Sequence, residues 1–136
     1  MNKKILPHLI TFTAVCAATN KNEADYAPPA NGSNEEMLIA YFRRTNLIAK
    51  AFNGAQKIKR ADTNQKKWSI WTWVKPNIEA PAGFRLSFGG CLYAYSSAGI
   101  GARPEFIDPA HGEEAFERFQ EEFEKLMQYK DLVDQE

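Results

Sequence analysis

The chain has 136 residues, is 44% hydrophobic and 25% charged, and carries a formal net charge of zero. This length suits one domain with a real core, and seventeen aromatic residues with modest Pro and Gly argue against wholesale disorder. No apolar run approaches the roughly 20 residues of a membrane-spanning helix, and no internal repeat, heptad series or low-complexity tract is present.

The zero net charge hides a sorted distribution. From Arg43 to Lys75 nine basic side chains stand against one acid, Asp62, whereas from Glu113 onward nine acids stand against Arg118, Lys125 and Lys130. Such sorting points to a charged partner, or to two regions that face each other.

In chain order, Lys3 and Lys4 precede a mildly apolar stretch, Ile5 to Ala18, that ends in small residues. This resembles a secretory leader with cleavage after Ala17 or Ala18. Pro7, His8, Thr11 and Thr13 weaken it, and the residues before Cys16 lack the usual lipoprotein pattern. The alternative is an N-terminal β-strand, since residues 8–15 are rich in β-formers. Residues 19–34 read as a polar linker with Pro28, Pro29 and Gly32, and residues 35–136 as one domain. If the leader is removed, Cys91 stands alone; if it stays, nothing in the spacing predicts a bond to Cys16.

Ser33 and Glu36 have capping-box spacing, and Gly54 suits the position after a last turn, so a helix is expected from about Glu35 to Asn53. Leu38, Tyr41/Phe42, Ile48 and Phe52 give its apolar stripe, leaving Arg43, Arg44 and Lys50 mostly toward solvent. A basic connector follows.

Trp68–Val74 is dense in aromatic and β-branched residues and closes at Pro76, which predicts a strand. Alternation puts Trp71 and Trp73 on the face opposite Trp68, Ile70 and Val74. That second face is either covered or a binding surface. A second strand is expected from Phe84 to Ser96, with a bulge at Gly89-Gly90 that keeps Phe84, Leu86, Phe88, Cys91, Tyr93 and Tyr95 on one side. Asp108-Pro109 opens a C-terminal helix with an apolar stripe from Phe116 to Val133 and acids opposite. The fold class is α+β: a small antiparallel sheet of two to three strands packed by two amphipathic helices.

The candidate partner-binding residues are Lys57, Lys59, Arg60, Lys66, Lys67, Trp71, Trp73 and Lys75, cations beside indoles. Residues of this type also suit phosphates and bases, although no recognised nucleic-acid motif is present. Ser96, Ser97, Gly99, Gly101 and Arg103 offer hydroxyls, amides and a cation for an anion-binding loop, without the Gly-Lys-Ser/Thr ending of a phosphate loop. The acidic helix either solubilises, pairs with the basic segment within the fold or across a homo-oligomer, or mimics nucleic acid. No Ser/His/Asp elbow, catalytic set or metal spacing is present, so no enzyme, cofactor or metal is expected.

Residues Tyr93 to Phe106, with Tyr93-Ala94-Tyr95, a Ser-x-Gly and Glu105-Phe106 in register, resemble the C-terminal segment of a small anti-CRISPR inhibitor of type II-C CRISPR nucleases. The match spans 14 residues of 136, and the nuclease-contacting serine of that family would fall at Ala102. The expected function is therefore a non-catalytic, exported (periplasmic or secreted) binding protein that engages a macromolecule, a protein in preference to nucleic acid. The alternative is a cytosolic inhibitor of the anti-CRISPR type or a nucleic-acid-associated protein.

Overall fold

In the computed structural model, which describes residues 6–59, 61–95 and 104–136, the long helix begins where the capping pattern puts it. We number the helices α1 (Phe12–Thr19), α2 (Asn34–Asn53), α3 (Pro109–Arg118) and α4 (Gln120–Asp134), and the strands β1 (Lys67–Pro76) and β2 (Phe84–Ala94). Ser33 accepts a hydrogen bond from the Glu36 amide at 3.1 Å, and the Glu36 carboxylate accepts one from the Ser33 amide at 3.0 Å. Two of the amides that a helix start leaves without partners are thus satisfied. Gly54, at φ 63°, ends α2 in a conformation that favours glycine.

The two strands form one antiparallel sheet. Trp68 pairs with Tyr93 and Ile70 with Cys91, but Trp71 pairs with Gly90 and Thr72 with Phe88, so Gly89 is the extra residue. This is the expected bulge. It keeps Phe84, Leu86, Phe88, Cys91 and Tyr93 on the same face as Trp68 and Ile70, against the helices.

Both outer edges have partners. Trp68 exchanges two backbone hydrogen bonds with Phe106, each 2.8 Å. On β2, the Leu86 amide donates to the Glu124 carboxylate at 2.9 Å, and the Leu86 carbonyl accepts from Gln120 at 2.7 Å. Side chains from α4 therefore blunt an edge that would otherwise invite another strand.

Three sequence expectations need correction. Residues 8–15 form no strand: Thr11 caps α1 by accepting the Ala14 amide, and Asn20 ends it in the left-handed region at φ 56°. The β-formers yield to these two caps and to burial of Phe12, Val15 and Cys16 on one helical face. The C-terminal helix is not continuous either. It breaks at Phe119 (φ −121°, ψ 32°), whose ring is buried edge-on against Phe52, and the break sets Gln120 and Glu124 on β2. Among the described residues there are four α-helices, not two; α3 and α4 pack on the sheet, and α1 and α2 lie behind them in the core.

Finally, Arg44 does not face solvent. It makes a bidentate pair with Glu122 at 2.8 and 2.6 Å, donates to the Tyr26 carbonyl, and lies 3.7 Å from the Phe12 ring centroid. Burial works against its charge, but the Glu122 hydrogen bonds and charge outweigh it and raise the guanidinium pKa. The stretch read as a linker is docked at this point through Tyr26.

One core holds these parts together, running from Leu9, Phe12 and Val15 through Ile48 and Phe52 to Phe106, Phe116 and Phe123. Arg118 ties the N-terminal segment to it by donating to the carbonyls of Leu6 and Leu9 while pairing with Glu114.

Candidate functional site

Helices α3 and α4 pack on one face of the sheet, leaving Val74 and Tyr93 there half exposed, and the other face carries the tryptophans. Cross-strand neighbours share a face, so this side reads, from the hairpin end, Lys75/Arg85, Trp73/Ser87, Trp71/Gly90, Ser69/Leu92 and Lys67/Ala94. Trp73 is 58% exposed, Leu92 65% and Trp71 36%. Ile78 is almost wholly exposed in the hairpin loop.

The glycine pair has a second use besides the bulge. The Trp71 indole spans both glycines: a Cβ on Gly89 would overlap its six-membered ring, and one on Gly90 would stand 3.0 Å from its Nε1. Trp73 then packs edge-on against Trp71 at a centroid distance of 5.1 Å. The outcome is a supported aromatic ledge on a sheet face that no described element covers.

Of the sequence-derived cations, Lys57, Lys66 and Lys67 do not gather around that ledge. Lys67 is only 1% exposed, and its Nζ donates to the carbonyls of Asp62 (2.7 Å), Tyr95 (2.9 Å) and Gln65 (3.0 Å). All three ammonium protons are satisfied, so Lys67 staples the connector to the end of β2 and presents nothing to a partner. Lys66 lies over the opposite face, 4.4 Å from the Tyr93 centroid, 5.7 Å from Trp68 and 5.8 Å from Tyr95. Lys57 lines a hollow at the C-terminal end of α2 with Lys50, Asn53 and Glu105. Lys59 is exposed in the connector.

Among the described residues Lys75 alone of the named cations shares the tryptophan face as an exposed charge, and it forms no ion pair there. Arg85, opposite, is half exposed and leans over the β2 edge to Glu124 at 3.2 Å. Arg60 and the whole anion-loop set (Ser96, Ser97, Gly99, Gly101 and Arg103) lie outside the described residues.

Elsewhere, an apolar groove of about 450 Å³ runs between β1, α2 and α4, lined by Leu38, Phe42, Ile70, Phe123 and Met127. Among the described residues no three His, Cys, Asp or Glu side chains converge as metal ligands, and no helix is long and apolar enough to cross a membrane. Burial raises the pKa of both thiols, with Glu23 adding to the effect at Cys16 and Glu113 at Cys91. Burial, then Glu122, likewise raises the Tyr41 phenol, which stacks on Tyr129 at 5.8 Å.

Leu92 and Arg85 belong to the tryptophan face and were not singled out from the sequence. The alternation that put Cys91 and Tyr93 on the helix side already assigns Leu92 to the other. No protein-family model, curated protein or solved structure matches the chain.

Proposed function

We propose that this chain is a non-catalytic binding protein whose contact surface is the uncovered sheet face bearing Trp71, Trp73 and Leu92, and whose partner is a macromolecule. The observation that carries this reading is the exposure of Trp73 and Leu92 on a face where Trp71 is held flat over Gly89 and Gly90. Exposed indoles cost free energy in water unless something covers them, and a rigid indole is the kind of anchor that dominates interfaces. Lys75 at one end supplies a charge that would speed encounter with an anionic partner.

The test is a photo-reactive amino acid placed at position 73 of the full chain in the cells that make it. Irradiation is expected to give an adduct of defined mass. The same group at exposed Glu35, on the first turn of α2, is expected to give none. Equal adducts at both positions, or none at 73, contradict the proposal.

Burial of Leu9, Phe12, Val15 and Cys16 in the common core supports the variant of this function in which residues 6–19 stay in the working protein, as in the cytosolic alternative. Burying side chains of this kind stabilises by about 1.5–3 kcal/mol each, so their loss would rival the roughly 5–15 kcal/mol that hold a domain folded. Intact mass of the native protein is expected to include these residues. A chain starting at Ala18 or Thr19 would instead establish export with processing.

A further inference from the structure

We infer that the partner contributes a protein segment with an apolar stretch and carboxylates at one end only, the apolar part lying along Trp73, Trp71 and Leu92 and the carboxylates meeting Lys75 beside Arg85. This rests on the reading of the tryptophan face as the contact surface and names what that face selects.

The argument is the distribution of charge along the face. A nucleic-acid strand repeats its negative charge at every nucleotide, and proteins that hold one line the whole track with cations. Among the described residues the cations of this face stand at the hairpin end alone, where Lys75 opposes Arg85, itself paired with Glu124. Going along the strands from that end, the face turns to Trp73, Trp71 and then Leu92, and the lysine at the far end, Lys67, is sealed with its ammonium bonded to carbonyls. Stacked bases could use the indoles, but the phosphates between them would meet no free cation at Leu92 among the described residues.

A polypeptide has the complementary pattern. Its apolar side chains desolvate the indoles and Leu92, and its charge needs to appear only once. The direction of the gradient also orients the segment, since reversing it would set carboxylates on Leu92 and leave Lys75 facing apolar atoms.

The test selects a random peptide library displayed on phage against the immobilised full chain, alongside random single-stranded DNA and RNA pools. Wild type is expected to enrich peptides with an apolar block flanked on one side by Asp or Glu. Trp73→Ala is expected to weaken the enriched peptides by roughly thirtyfold, in the range of an anchor residue. Lys75→Glu combined with Arg85→Glu is expected to weaken them by about tenfold and to enrich Lys or Arg at the same end.

Peptides without one-sided acidity, or enrichment unchanged in the double variant, overturn the inference. Oligonucleotides retained by wild type and lost with Trp73→Ala overturn it too, but leave the contact surface standing with a different partner. Concentration-dependent self-association that Trp73→Ala abolishes would put a second copy of this chain on the face and equally overturn it. If nothing is retained and the chain stays monomeric, both this inference and the proposed contact surface fail.

Discussion

An ammonium has three protons to donate, and at Lys67 three carbonyls take them. With the stem buried as well, removing the head group takes a charged donor from three carbonyls, of which the Asp62 one keeps the Gln65 amide at 3.3 Å. Lys67→Met is therefore expected to lower stability by about 2–4 kcal/mol in urea unfolding, whereas Lys75→Ala is expected to change it by no more than about 0.5 kcal/mol. Similar losses for both would contradict the division between a stapling lysine and a free one. Nothing in residue type separates the two, because lysine is ordinarily exposed and both sit in one basic run. Alternation did place Trp71 and Trp73 on a face of their own, since the period of two is a backbone property and independent of context. What alternation leaves open is whether that face is covered, and that depends on where the helices go.

Among the elements, α2 and the bulge were legible because each is written in local chemistry: a capping pair before one, adjacent glycines at a phase change in the other. The break at Phe119 was hidden because no glycine or proline marks it. A buried ring and the demand of the β2 edge for Gln120 and Glu124 create it, and both are tertiary effects. The N-terminal segment misled for a related reason, its β-formers being outvoted by Thr11 and Asn20 as caps.

The α2 cap also makes a pH prediction. Hydrogen bonds from Ser33, the backbone amide first, hold the Glu36 carboxyl below its ordinary pKa. A depressed carboxyl pKa stabilises the fold above the unfolded value and loses that contribution as pH falls through the folded one. The thermal midpoint is thus expected to fall on acidification below the usual carboxylate range, and to do so less steeply in Glu36→Gln. Parallel curves for the two proteins would contradict this account of the cap.

For the whole molecule, charge sorting turns out to be partly internal. Arg44 of the basic segment meets Glu122 of the acidic one on α4, and Arg85, which lies beyond the basic segment, meets Glu124 on the same helix. The candidate basic cluster is dispersed by the same folding, with Lys66 over aromatic rings, Lys67 sealed, Lys57 near the end of α2 and Lys75 on the tryptophan face. Sequence proximity grouped them. Three-dimensional structure separates them, because strand alternation and the turn into β1 send neighbours to different sides. What survives as a surface is apolar with charge at one end, which neither composition nor net charge expresses.

That surface requires Trp73 to be dispensable for folding, and urea unfolding of the full-length Trp73→Ala chain tests this most directly. The predicted loss is at most about 1 kcal/mol, the value of an edge-on contact with Trp71. A loss of about 3 kcal/mol or more, the range for a buried aromatic, would mean that the indole belongs to the core and that the sheet face is closed.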